Sequence, residues 1–110
     1  MYEIIKSFEE YTETYQNEDA ALFYFSHEEC NVCKVLKPKI ATLIWGDFPK
    51  IKLFYVDTRE YPDVAAQNGI FTNPVVLIYF QGKEFYRKAR NIGIGELQQI
   101  IEKPYNLMFD

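Results

Sequence analysis

With 110 residues, 48% of them hydrophobic and nine Phe and nine Tyr among them, the chain is long enough to bury a core without staples and reads as one domain over residues 1–110. Its net charge of -4 and dispersed lysines give no reason to expect nucleic acid as a partner, and no apolar run approaches the roughly 18 residues of a membrane span. Only two cysteines occur, Cys30 and Cys33, too close together to staple distant parts of a fold, which argues against a structural disulfide framework.

Residues 1–6 lack the charged-then-apolar order of a signal peptide, so a cytoplasmic address is expected, and they read as a strand or an extended arm. Ser7-Phe8-Glu9-Glu10 has the form of a capping box, in which Ser7 accepts from the Glu10 N–H and Glu10 reaches back, so a first helix is expected over residues 8–16. After the polar turn Asn17-Glu18-Asp19, the run Ala21-Leu22-Phe23-Tyr24-Phe25 reads as a buried strand.

The stretch that follows carries His27, Glu28, Glu29, Cys30, Cys33 and Lys34, and behind it Val35, Leu36, Ile40, Leu43 and Ile44 keep helical spacing to about residue 45. Pro38 lies inside this helix, where the missing N–H is expected to bend it or to end its first segment. Gly46-Asp47-Phe48-Pro49 stops it, and Trp45 is expected in the core.

Residues 51–57 are apolar enough on both faces to lie in the middle of a sheet, and strand, helix, strand in that order implies a right-handed parallel crossover. Pro62 suits the first turn of a short helix over residues 63–68, with Gly69 at its C′ position. Residues 75–80 form a further strand, Gln81-Gly82 reverses the chain, and residues 83–90 return antiparallel as an edge. Gly93 and Gly95 bracket the start of a last helix lined by Leu97, Ile100 and Ile101. Pro104 is expected to end it, leaving residues 105–110 as a tail that packs on the chain's own sheet or docks on a partner.

Cys30 and Cys33 thus sit where a strand hands over to a helix. Unpaired N–H groups and the macrodipole at a helix N-terminus favour negative charge and lower the pKa of a cysteine placed there, which makes a thiolate available. A second thiol three residues along the first turn can reach back to close a small disulfide ring. The spacing suits reversible thiol-disulfide exchange.

This arrangement resembles the thioredoxin family over nearly the whole chain. The resemblance is carried by Cys30-Asn31-Val32-Cys33 at a strand-to-helix junction, Lys34 and Pro38 at the family's offsets, Asp57 closing the next strand, and Asn73-Pro74 where the family has a cis-proline facing the two sulfurs. It implies an α/β thioredoxin fold with a central mixed four- to five-stranded sheet flanked by helices. It also implies a protein disulfide reductase in which Cys30 is the nucleophile and Cys33 resolves, with Asn73 and Pro74 contacting an extended substrate segment. Disulfide-containing protein clients are the implied partners, with thioredoxin reductase or a glutathione system restoring the dithiol; neither cofactor nor metal is implied.

Several positions depart from the family. Glu29 precedes Cys30 where the family has Trp, Asn31-Val32 replace Gly-Pro, Tyr24 stands in place of the buried Asp, and Leu53 in place of the Lys on the next strand. Glu28 and Glu29 oppose a Cys30 thiolate while Lys34 and Lys37 favour it, so His27, Glu29, Lys34 and Pro38 are candidate modulators. The absent Asp and Lys leave the resolving-thiol proton to water, Glu28 or His27. They also sustain an alternative reading, a thioredoxin-fold interaction module with slow or no redox turnover. A second alternative is a dimer-shared metal site, because Cys30, Cys33 and His27 provide only three ligands.

Overall fold

The computed structural model describes residues 2–109; Met1 of the N-terminal arm and Asp110 of the tail lie outside them. The elements in chain order are β1 (Glu3–Ile4), α1 (Phe8–Asn17), β2 (Ala20–Ser26), α2 (Asn31–Asp47), β3 (Lys52–Asp57), α3 (Pro62–Gln67), β4 (Val75–Phe80), β5 (Lys83–Ala89) and α4 (Ile94–Phe109). The five strands form one mixed sheet in the order β1-β3-β2-β4-β5. β1, β3 and β2 run parallel, while β4 pairs antiparallel with both β2 and β5.

The two-residue period of the strands sorts the core into two layers. Leu22, Tyr24, Leu53, Tyr55, Val76 and Ile78 face α2 and α4, meeting Leu36, Ile40, Ile44, Leu97 and Ile101. Phe23, Phe25, Phe54, Val56, Leu77 and Tyr79 face the other way, against Tyr11 of α1 and Val64 of α3. Because β2 is covered on both faces and paired on both sides, all seven of its residues are buried, which is why it reads as an unbroken apolar run.

Local chemistry sets most boundaries. Ser7 caps α1 by accepting from Glu10 N at 3.0 Å, but Glu10 reaches back one residue further than a capping box requires, accepting from Lys6 N at 2.7 Å. Gln81 and Gly82 both take positive φ, 53° and 78°, which suits a two-residue hairpin between β4 and β5. Among the described residues no helix is long and apolar enough to cross a membrane.

Two expectations fail, and one of the two alternatives for Pro38 falls with them. Pro104 does not end the last helix, which runs on to Phe109. Tyr105 is buried with its ring 5.0 Å from that of Phe48, its hydroxyl accepts from Lys50 N at 3.0 Å, and Phe109 packs on it at 4.8 Å. This packing outweighs the roughly 3 kcal/mol that an interior proline costs. The tail is therefore the last turns of a helix packed on the chain's own core. Trp45 is 49% exposed on α2 rather than in the core, and Val35 is 59% exposed although it shares the apolar spacing of that helix. Both turn away from the sheet because Leu36, Ile40 and Ile44 already occupy the inward stripe. Pro38 neither ends nor divides α2, which is continuous from Asn31 to Asp47.

Candidate active site

β2 ends at Ser26, and four residues later the chain turns into α2. In the intervening loop the His27 carbonyl accepts from Cys30 N at 3.2 Å, and the His27 ring accepts from Glu29 N at Nδ1, also at 3.2 Å. His27 is thus half-buried and shapes the turn through Nδ1, which is unprotonated when it accepts. Cys30 is the N-cap residue of α2, and its Sγ accepts from Cys33 N at 3.2 Å. This replaces the Ser, Thr or Asp usual at an N-cap with a sulfur facing the orphan N–H groups of the first turn.

Cys30 and Cys33 are joined in a disulfide, their Cα atoms 5.2 Å apart. The two sulfurs differ in access: Cys30 is partly exposed, Cys33 only 1%. Asn31 and Val32 between them are both exposed, and Lys34 extends into solvent from the first turn.

Beneath the pair lies a tyrosine cluster. Tyr24, 0% exposed on β2, donates its hydroxyl to the Cys33 carbonyl at 2.8 Å. Tyr55 is its register partner on β3 and accepts from Ser26 Oγ at 3.1 Å. Tyr2 donates to the Lys37 carbonyl at 2.7 Å, and the Lys37 ammonium lies 3.8 Å from the centroid of the Tyr55 ring. Burial, and next the charge each would place near its neighbour, holds the Tyr2 and Tyr24 hydroxyls well above the ordinary tyrosine range. Both are neutral donors at any working pH. The carboxylate that the resemblance leads one to seek under the second cysteine is therefore replaced by a hydroxyl that anchors backbone and holds its proton.

Negative charge beside Cys30 is partly countered. Glu29 forms an ion pair with Arg59, and the loop carrying Arg59 is held by Asp57 Oδ1, which accepts from Arg59 N at 2.9 Å and Glu60 N at 3.0 Å. Glu28 is exposed and has no salt-bridge partner among the described residues.

The Asn73–Pro74 peptide bond is cis, with Pro74 buried and Asn73 half-buried. The pairing of Phe25 with Val75 brings this segment to the end of the sheet from which the cysteine loop departs. Thr58 links the two sides: its N–H donates to the Ser26 carbonyl at 2.8 Å and its hydroxyl to Asn73 Oδ1 at 3.2 Å. The Pro74 carbonyl accepts from Arg90 N at 2.8 Å. Pro38 lies one turn beyond Cys33 on the exposed side of α2, with its carbonyl accepting from Thr42 Oγ1 at 3.0 Å.

In the sequence Tyr24 stands out only as a missing acid; its bond to Cys33, like the contacts of Thr58, Arg59 and Arg90, joins separate segments of the chain and leaves no local motif. Tyr24 and Tyr55 carried one usable signal, both being polar-tipped residues inside strand runs. Among the described residues no three His, Cys, Asp or Glu side chains cluster as a metal-ligand set.

The sequence model of the Thioredoxin family matches residues 3–103. The thioredoxin-like protein YdfQ of Bacillus subtilis is 32% identical over 87 residues, covering 79% of this chain and 77% of that protein. A thioredoxin of Rickettsia bellii is 28% identical over 97 residues, 88% of each chain. Mitochondrial thioredoxin 3 of Saccharomyces cerevisiae, in its oxidized form, superposes with a TM-score of 0.81 at 18% identity, covering 89% of this chain and 91% of that one.

Proposed function

The chain belongs to the thioredoxin family, and from that premise we propose that it reduces protein disulfides through Cys30 and Cys33. The observation that carries the reading is the asymmetry of the pair, one sulfur partly exposed at the N-cap of α2 and bonded to another that is almost wholly buried. An exposed sulfur at the positive end of a helix is suited to attack, and a sheltered one within bonding range to resolve.

In this reading the Cys30 thiolate attacks one sulfur of a client disulfide, forming a mixed disulfide and expelling the other client sulfur as a thiolate. Cys33 then loses its proton and attacks the Cys30 sulfur. The Cys30–Cys33 bond forms, the bond to the client breaks, and the client leaves as a dithiol carrying two electrons. Thioredoxin reductase or a glutathione system returns the two electrons, which fits a cytoplasmic address. Direct sulfur exchange needs no bound cofactor.

The surrounding residues divide the remaining tasks. Asn73 and Pro74 receive an extended client segment beside Cys30, with Thr58 steadying the Asn73 side chain. Arg59 restrains Glu29 and softens its opposition to the thiolate. His27 shapes the loop before Cys30, Lys34 adds positive charge one residue beyond Cys33, and Pro38 stiffens the exposed side of α2. Tyr24 keeps its proton and holds the Cys33 backbone, so the Cys33 proton is left to water, Glu28 or His27.

Reduction of insulin disulfides driven by dithiothreitol tests the reading on the native protein, Cys30→Ser and Cys33→Ser. Turnover is expected in the native protein alone, with a trapped mixed disulfide only in Cys33→Ser. Equal rates in all three would leave a thioredoxin-fold interaction module in its place.

A further inference from the structure

Beyond the cysteine pair, the least ordinary backbone near the site belongs to Arg90. Its φ is 68°, a left-handed conformation that an arginine outside a hairpin turn seldom adopts. Two bonds hold it there, Arg90 N to the Pro74 carbonyl at 2.8 Å and Arg90 Nε to Thr72 Oγ1 at 3.1 Å. Both partners lie on the segment that carries the cis peptide bond. The side chain therefore stands at the rim of the site with its terminal guanidinium nitrogens unused by any carboxylate among the described residues.

Arg90 lines a groove of about 480 Å³ together with Val32, Val35, Lys39 and Ile92, and with Asn31, the residue that follows Cys30. Val32 and Val35 are 66% and 59% exposed, which leaves an apolar strip open to solvent on α2. The groove is lined by two cations and no carboxylate, on a chain whose net charge is -4. Its local charge is opposite in sign to that of the molecule, and Lys39, like Arg90, is in no ion pair among the described residues.

We propose that this groove selects the client: it receives a stretch of polypeptide next to the client disulfide that carries an aliphatic or aromatic residue for Val32 and Val35 and an Asp or Glu for Arg90 and Lys39. The inference rests on the redox reading of Cys30 and Cys33 and adds to it the class of sequence that is reduced. The apolar strip contributes contact area, and the two cations discriminate by charge.

The test separates binding from turnover. The oxidised native protein is titrated with three peptides of one apolar sequence, their cysteines replaced by serine, that carry two Asp, two Ser or two Lys; amide shifts are followed by NMR. The Asp peptide is expected to bind about tenfold more tightly than the Lys peptide at low ionic strength, with the ratio shrinking severalfold at about 0.5 M salt. Shifts are expected at Val32, Lys39, Arg90 and Ile92. In Arg90→Gly, where glycine adopts the positive φ without strain, the ratio should fall to about twofold; Lys39→Ala should lower it in the same direction. Equal affinities for the three peptides, shifts confined to another face, or shifts that follow protein concentration without peptide, as for a second copy in the groove, would each overturn the proposal. The same peptides with their cystine intact are then offered as substrates. Failure to reduce any of them would count against the redox reading, whatever the titration showed.

Discussion

Tyr24→Phe removes one oxygen from the centre of the molecule and leaves the ring in place. The lost group is a neutral hydroxyl on a residue 0% exposed, donating to the Cys33 carbonyl at 2.8 Å. Such a bond contributes about 1 kcal/mol net, and a buried acceptor left short of a partner adds to the loss. The carbonyl lies in the first turn of α2 and keeps its helical N–H partner, so only one lone pair is orphaned, and the total cost comes to about 1–2 kcal/mol. For a chain of this size that lowers the Tm of the oxidised protein by roughly 4–10 °C. Thermal and urea unfolding, followed by circular dichroism, measure it. The second half of the experiment is insulin turnover across pH. Burial holds the Tyr24 hydroxyl well above the ordinary value of 10.0, so it neither gives up nor receives a proton during the cycle. The pH profile of Tyr24→Phe is therefore expected to parallel that of the native protein, at lower amplitude if Cys33 is less firmly held. A limb of the profile that vanishes in the variant would refute neutral anchoring and make Tyr24 a proton carrier. A stability loss within about 0.3 kcal/mol of zero would refute the contribution assigned to the bond.

The buried tyrosines also predict alkaline behaviour. Tyr11 and Tyr24 have hydroxyls raised above 10.0, chiefly by burial, so their contribution to stability is complete below that pH and is lost as the pH rises toward their folded values. Urea unfolding at a series of pH values should show stability falling above about pH 10 by up to about 1.4 kcal/mol per pH unit for each tyrosine, together with cooperative tyrosinate absorbance. Arg90→Gly relieves a left-handed arginine but gives up its bond to Thr72, so a net gain of about 0.5–1 kcal/mol is expected as a higher urea midpoint at unchanged m. Pro104→Ala restores an N–H to the interior of α4 and should raise stability by about 1–3 kcal/mol; a loss would mean that the last turns are not helical.

The amino-acid order alone decided most of the helices and strands, because those choices are largely local; the last turns of α4 are the exception. The unbroken apolar run of β2, the serine and glutamate that open α1, and the Gln81-Gly82 reversal each state their conformation within a few residues. The cysteine spacing likewise announced the chemistry, since a three-residue separation at a helix start is a geometric statement in itself.

What the order of residues left open depended on groups far apart in the chain. Pro104 obeyed Phe48 and Lys50, whose packing and hydrogen bond on Tyr105 hold the last turns in helix against the proline's own tendency. Trp45 and Val35 were set outward by a stripe that other residues of α2 already filled. Tyr24 became the support of Cys33 only when β2 was laid beneath α2, and Arg90 came to share a groove with the first turns of α2 only when the chain brought it to the carbonyl of Pro74. Local preferences amount to fractions of a kcal/mol for most residues and about 3 kcal/mol for an interior proline, so wherever long-range contacts together offer more, the tertiary structure decides.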